Sequence, residues 1–334
     1  MVSSPAAARP RVTLFVTGWN QADIIGPAIE SAFAQTWEPL EIILSDDASR
    51  DGTGDLMEAA ATWRGPHAVR VLRAERNGGI VGNVNRVMAA AQGELIVMAG
   101  GDDISAPHRV ARLVEAWEGA DRRAHLLHSA AAVIDAAGRP TGHRREANPR
   151  LLAARGPRQV LDAPRTVLGA TMAWSRTLWD VFGPLPAEAL VEDLLLTFRA
   201  ALLGPILYVD EDLVSWREGG VSWTPPRITA RERLHGAPFR LVRWRAAACR
   251  ALLADLDRVD RPDREEVRAL AAAQAEALGL QVALADAGTA GRLALLPRAL
   301  HQARREGAAR PLKLALQYLL EVPYTLWRGT RHGS

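Results

Sequence analysis

Val12-Thr13-Leu14-Phe15-Val16-Thr17-Gly18-Trp19-Asn20 opens a pattern that returns as Glu41-Ile42-Ile43-Leu44-Ser45-Asp46-Asp47 and again as Leu95-Ile96-Val97-Met98-Ala99-Gly100-Gly101-Asp102-Asp103. Each stretch is a short apolar run that breaks into polar or acidic residues. Continuous apolar runs of this length fit strands covered on both faces. Val69 to Leu72 supplies a further strand between the second and third. Helical patterns fall between them: Ile24 to Gln35 with Asp23 as N-cap, Gly54 to Trp63, and Val84 to Ala91. Pro107 opens another at a position that tolerates proline. Strand–helix alternation predicts an α/β fold, a mostly parallel doubly wound sheet flanked by helices.

From Leu126 to Arg176 the rhythm loosens, with strands expected around a turn at Gly138-Arg139-Pro140 and an irregular stretch through Arg155. Helices are expected again at Arg176 to Val181 and Asp193 to Leu203, and short strands at Ile206 to Val209 and Leu213 to Trp216. Beyond Pro225-Pro226 the chain turns to Ala, Leu and Arg at helical spacing. Leu312, Ala315, Leu316, Leu319 and Leu320 form one apolar stripe. The expected organisation is a tail over residues 1–11, an α/β domain over 12–224, and a helical C-terminal subdomain over 225–330.

The chain of 334 residues is 48% hydrophobic and 24% charged, as in ordinary globular proteins. The formal charge is +3, too small and too scattered to single out nucleic acid. No zinc-finger spacing or long basic run is present, so nucleic acid is not an expected partner. Cys249 stands alone, which fits a reducing compartment. No stretch matches a membrane span, and the tail lacks the apolar core of a signal peptide. A soluble cytoplasmic protein is expected.

The acidic strand ends carry the chemistry. In open parallel sheets, ligands bind beyond the carboxyl ends of the strands, and three of the four early strands deliver polar residues to that edge. Asp102 and Asp103 repel each other and are costly to desolvate without a cation. Mg²⁺ or Mn²⁺ would relieve that repulsion, taking one or two carboxylates and completing its shell with water and phosphate. The plainer role is capping of the next helix. Asp47 at a strand end can accept a hydrogen bond from a nucleobase imide. Asp51 reads as a turn and capping residue. Asp47 to Glu58 matches EF-hand spacing, but it follows a strand and carries Gly54 where an apolar residue belongs. No Gly-x-Gly-x-x-Gly follows the first strand, and no Gly-Lys-Ser/Thr occurs. The polar entry Asn77-Gly78-Gly79 with Asn83 and Asn85 can serve a phosphate or simply cap a turn.

These motifs, in this order from about Val12 to Ser222, resemble the family 2 glycosyltransferases, whose fold is GT-A. The resemblance implies an inverting sugar transfer from a nucleoside-diphosphate sugar, UDP favoured, to a saccharide or lipid-linked acceptor. It implies that Thr17, Trp19 and Asn20 lie at the nucleotide, with Trp19 stacking near the base, and that Asp47 binds uracil. Asn77 and Asn85 would precede and line the donor site. Asp103, with Asp102 beside it, would hold the metal. Asp193 would be the catalytic base, with Glu192 either on the acceptor side or structural; Thr171, Met172 and Trp174 fall where acceptor residues lie in the family, or equally in the core. Arg217, in the stretch Trp216 to Ser222, would pair with the diphosphate. A histidine common near Glu218 is absent, as is the Gln-x-x-Arg-Trp motif of processive synthases, so transfer of a single sugar is expected. The C-terminal helices lie outside the resemblance; their stripes read most simply as a packed subdomain, and their basic surface could also rest on an anionic membrane where lipid-linked acceptors reside. The alternatives are an inactive nucleotide-sugar-binding protein and a sugar-nucleotide nucleotidyltransferase. The second lacks its usual Gly-rich basic loop between Thr17 and Gln21.

Overall fold

The computed structural model describes residues 9–147, 156–162, 167–189, 192–220 and 239–287, with 291, 293–298 and 301 beyond them. The expected tail through residue 8, the irregular stretch at 148–155, Ser222, the boundary at Thr224–Arg227 and the Leu312–Leu320 stripe lie outside the described residues. The chain divides into two compact units, Met1–Thr224 with Asp255–Arg261, and Pro225–Ala254 with Pro262–Ser334.

In the first unit, β1 (Val12–Gly18), α1 (Ile25–Phe33), β2 (Leu40–Asp46), α2 (Thr53–Ala60), β3 (Ala68–Arg73), α3 (Gly79–Ala90) and β4 (Leu95–Gly100) alternate as the apolar runs predict. There follow β5 (Ile104–Ser105), α4 (Arg109–Gly119), β6 (Leu126–Ile134), β7 (Pro140–Arg145), α5 (Pro157–Asp162), β8 (Ala173–Ser175), α6 (Thr177–Phe182), α7 (Glu192–Leu203) and β9 (Ile206–Arg217). All nine strands join one sheet in the order β3-β2-β1-β4-β8-β6-β9-β5, with β7 beside β6. The first four strands pair in parallel. Beyond β4 the sheet is mixed: β8 runs antiparallel to β4 and β6, while β9 returns parallel to β6.

The central strands are apolar because both faces are covered. Leu14, Val16, Ile42, Leu44 and Val97 pack with Ile25 and Ile29 of α1, Met57 of α2, and Leu113, Val114 and Trp117 of α4. Burying each such side chain contributes roughly 1.5–3 kcal/mol. In α1 the buried residues Ile25, Ala28, Ile29 and Ala32 repeat at i, i+3, i+4 and i+7, one helical stripe.

Local detail departs from expectation in three places. Asp23 does not cap α1, whose N-cap is Ile24 without a side-chain bond. Helix α3 begins at Gly79, because Asn77 Oδ1 accepts the Gly79 N–H at 3.2 Å and Asp47 accepts that of Gly78. Glycine's poor helix propensity is outweighed by partners that close the open first turn. The two strands expected over Ile206–Trp216 are one, β9, with register shifts opposite its Asp210-Glu211-Asp212 segment. These acids stay in a strand because cations receive them: Arg144 bonds Asp210 and Asp212 at 2.7 Å each, and Arg112 bonds Glu211 at 2.8 Å.

The second unit contains α9 (Arg264–Asp286) and all of α8 (Phe239–Asp255) except its last residue. Val242, Ala246, Cys249 and Leu278 form its core, with Ala275 and Val282 against them. Cys249 is a buried apolar-face residue, and burial pushes its thiol further up.

Candidate active site at the carboxyl edge of the sheet

Strand register brings the three polar strand ends side by side. Thr17 lies opposite both Ser45 and Gly100, and Gly18 opposite Asp46. The loops that follow are stitched together. Asn20, at φ 50°, donates its backbone N–H to Ser49 Oγ at 2.9 Å, and its Oδ1 accepts the Arg50 N–H at 2.9 Å. Asp51 accepts the N–H groups of Ala22 and Thr53, each at 3.0 Å. Burial alone would raise its carboxyl, but these bonds outweigh it and hold the group below the usual range. Trp19 stands 44% exposed at the end of β1, an aromatic face open to a planar ligand. Ala48, next to Asp47, sits at φ 63°, a conformation that costs a non-glycine residue about 1 kcal/mol or more and clusters at functional sites.

Asp47 is buried at this edge. Its N–H donates to Gly18 O at 2.9 Å, and its carboxylate accepts the Gly78 N–H at 3.1 Å and Arg86 Nη2 at 3.1 Å. Asn77 Nδ2 donates to the Asp47 carbonyl at 3.3 Å, so Asn77 orders the turn beside it. Arg86 has no counterpart among the expected site residues, and no spacing rule would have found it. Asn85 is not turned to the donor edge. Its Nδ2 donates to Leu185 O at 2.7 Å and its Oδ1 accepts Leu185 N–H at 2.8 Å, so both ends of the amide tie α3 to a backbone a hundred residues away.

The Asp102-Asp103 pair follows β4 with both residues buried. Burial first, and then the Asp102 charge, push the Asp103 carboxyl up to about 7. A side chain at either flanking glycine would collide with the pair. A Cβ on Gly100 would lie 2.6 Å from Asp103 Oδ2 and 2.8 Å from Asp102 Oδ1, and one on Gly220 would lie 1.9 Å from Asp102 Oδ2. Arg217, expected at the diphosphate, supports this loop through its backbone N–H, Nε and Nη1. It is buried; its backbone N–H donates to Asp103 Oδ1 at 2.9 Å and its Nε to Asp102 O at 2.9 Å. Nη1 donates to Asp135 O and Ala136 O, so a fork toward a ligand is not available from those donors.

Glu192 and Asp193 open α7. Glu192 is fully enclosed, and its carboxyl rests on Gly169, where a Cβ would lie 2.5 Å from Glu192 Oε1. Burial, then the Asp193 charge, push Glu192 up to about 8. Asp193 is partly exposed; its Oδ1 accepts the Leu194 N–H at 2.5 Å and its carbonyl accepts Thr197 Oγ1 at 2.6 Å. The candidate acceptor residue Trp174 is instead core. It is 1% exposed, meets Phe15 edge-on with centroids 5.8 Å apart, and lines a small pocket with Val84, Met88 and Leu178. Its strand β8 has sheet neighbours on both sides. Thr171 and Met172 are buried as well.

Among the described residues no group of three or more His, Cys, Asp or Glu side chains gathers to hold a metal. The Asp102-Asp103 pair nonetheless suits a hard divalent cation. Two crowded carboxylates, one of them driven toward protonation by burial and then by its neighbour's charge, gain from a positive charge between them. The cradle walled by Gly100 and Gly220 leaves room for nothing bulkier than backbone beside them. Mg²⁺ and Mn²⁺ accept such a sparse protein set because water and substrate phosphates fill their remaining positions.

An open α/β sheet with acidic strand ends and a buried Asp-Asp loop is a GT-A-type fold. Residues 13–166 match the family model for Glycosyl transferase family 2. The succinoglycan biosynthesis protein ExoO of Rhizobium meliloti is 39% identical over 106 residues, 32% of this chain and 29% of that protein. Its companion ExoU, from the same organism, is 31% identical over 142 residues, 42% of this chain and 39% of that protein. The matched stretches thus span well under half of these curated relatives. Among solved structures, Staphylococcus aureus TarS in complex with UDP-GlcNAc superposes with a TM-score of 0.59 at 15% identity, over 92% of this chain and 90% of that one. A mannosyltransferase from Pyrobaculum calidifontis in complex with GDP-Man and Mn²⁺ gives 0.52 at 19% identity, over 94% and 87%. At these identities the structural matches establish the fold.

Proposed function

We propose that this chain is an inverting glycosyltransferase that moves one sugar from a nucleoside-diphosphate sugar, UDP favoured, to an acceptor hydroxyl in the synthesis of a cell-surface polysaccharide or glycolipid. The observation that carries this reading is the buried Asp102-Asp103 loop beyond β4, walled by Gly100 and Gly220 and fastened to Arg217. It lies on the same sheet edge as Asp47 and Trp19. The relatives named for succinoglycan biosynthesis, and the fold neighbours holding UDP-GlcNAc or GDP-Man with Mn²⁺, support the substrate class.

In this reading Trp19 stacks on the nucleobase, and Asp47, set beside Thr17 and Asn20 with Asn77 behind it, accepts its imide N–H. Asp103, with Asp102, would hold Mg²⁺ or Mn²⁺. The cation would supply positive charge against the developing charge of the diphosphate leaving group. Asp193 takes the proton from the acceptor hydroxyl as that oxygen attacks the anomeric carbon. Glu192, held protonated at neutral pH by its burial, keeps a second negative charge away from that base. No helix among the described residues is long and apolar enough to cross a membrane. A lipid-linked acceptor would draw the chain to the cytoplasmic membrane face, through the basic C-terminal stretch.

The test is calorimetric titration with UDP, dTDP, GDP and CDP, with and without Mn²⁺, on the wild type, Asp103→Ala and Asp193→Asn. UDP is expected to bind in a metal-dependent way, with loss in Asp103→Ala. Asp193→Asn should still bind, while its turnover falls about 10²–10⁴-fold, the usual contribution of a general base. Absence of any nucleotide binding in the presence of Mn²⁺ would sink the donor site. Unchanged turnover in Asp193→Asn would remove Asp193 from its role.

A further inference from the structure

Helix α4 opens with a cation on its apolar face. Arg109 lies on the stripe of Leu113 and Trp117, and it is 0% exposed. Its three hydrogen bonds reach neutral acceptors in three different segments. Nη1 donates to Ser105 Oγ at 2.9 Å, and Nη2 to Met98 O at 2.7 Å and Ala170 O at 2.8 Å. Nε has no partner at all. A guanidinium stays charged in proteins, and enclosing it without a contacting carboxylate is costly. An apolar side chain of similar length would pack there at lower cost, so core stability does not account for it.

The three acceptors locate its work. Met98 precedes the Asp102-Asp103 loop on β4, and Ser105 follows it on β5. Ala170 adjoins Gly169, the residue on which the Glu192 carboxyl rests. One planar fork therefore spans both ends of the acidic loop and the turn beneath the head of α7. We infer that Arg109 is a positioning residue that fixes the Asp102-Asp103 loop for a divalent cation and couples it to the Glu192-Asp193 side of the site. This rests on the metal-dependent donor site proposed above.

Charge and geometry make opposite predictions, which gives the inference its test. A positive charge near the acidic loop disfavours a second cation. If Arg109 acted through charge alone, its removal would tighten metal binding. If it acts by position, removal loosens the loop and weakens binding. Lysine keeps the charge but offers one nitrogen, which cannot reach all three segments. The measurement is free Mn²⁺ by electron paramagnetic resonance with UDP as the probe nucleotide. The chains are the wild type, Asp103→Ala, Arg109→Lys, Arg109→Met and Ser105→Ala, each checked for folding by circular dichroism and melting temperature. Half-saturating Mn²⁺ is expected to rise at least about 10-fold in both Arg109 variants, with lysine giving no rescue. Ser105→Ala, which removes one leg of the fork, should raise it about 3-fold. Equal or tighter Mn²⁺ binding in folded Arg109 variants overturns the inference. If those variants do not fold, unchanged binding in Ser105→Ala overturns it. Should the wild type and Asp103→Ala differ as expected while the Arg109 variants match the wild type, only this inference falls. Should the wild type take up no Mn²⁺ with UDP, the donor-site reading falls and takes the inference with it.

Discussion

Replacing Glu192 by glutamine should stabilise the protein, and more so as the pH rises. The carboxyl is enclosed at the head of α7, so ionisation there is opposed by burial and by Asp193, and it titrates at about 8. A helix N-terminus favours an anion by about 0.3–1 kcal/mol. Desolvation outweighs that here. In the unfolded chain the same group titrates near 4.5. The sign follows from proton uptake. Between these two values the folded state holds a proton that the unfolded state has released, so stability falls as pH rises through the window and levels off above it. Maintaining the protonated form against an ordinary carboxyl at pH 7 costs roughly 3 kcal/mol at about 1.4 kcal/mol per pH unit. Asp193 shares part of that cost, so about 2 kcal/mol is expected from Glu192 itself. Glutamine keeps the shape and the donor and carries no proton linkage. Urea unfolding of both proteins at pH 5, 6.5 and 8 isolates the Glu192–Asp193 pair, because carboxyls away from it cancel in the difference. The gain should be under about 1 kcal/mol at pH 5 and grow to about 2–3 kcal/mol at pH 8. A difference that stays flat with pH, or a glutamine variant less stable at pH 8, would refute the burial argument.

Two further substitutions probe packing. Arg199 and Asp255 form a buried pair in the first unit, with Nε to Oδ2 at 2.7 Å and Nη2 to Oδ1 at 3.2 Å; Arg199→Met strands the carboxylate and should lower stability by about 3–5 kcal/mol in denaturant unfolding, with Asp255→Asn less harmful. Glycine replacements should split by environment: at Gly93 a Cβ would lie 2.4 Å from Thr13 N and 2.8 Å from Leu95 O, backbone that cannot yield, whereas Gly26 in α1 meets nothing within 4 Å. Gly93→Ala should therefore cost about 1–3 kcal/mol or more, and Gly26→Ala should add up to about 1 kcal/mol, both read as melting temperatures.

The sheet's first half was legible because its evidence is local. Apolar runs of three to five residues, each ending in a polar break, mark doubly covered parallel strands, and β1, β2 and β4 form over them. Long-range structure was less visible. The strand β9 was read as two pieces, because an Asp-Glu-Asp segment looks like a break until Arg144 and Arg112 are seen to receive it. For Trp174 the sequence leaves acceptor side and core equally open, and its burial and the Phe15 contact decide for the core. Arg109 had a visible signal, a cation at i and i+4 with Leu113 on an apolar stripe, yet its partners lie on β4, β5 and the turn before β8.

By itself the sequence determined the alternation of elements, the acidic strand ends and the resemblance in motif order, since hydrophobic period and residue type are properties of short stretches. Only the tertiary structure decided which polar groups face a ligand and which are struts. Asn85 and Arg217 have the right chemistry for a donor site, but their hydrogen bonds are taken by backbone carbonyls and amides brought from far along the chain. A buried donor or acceptor without a partner costs about 1–3 kcal/mol, so such groups bind whatever folding places within reach, and residue type alone does not reveal what that is.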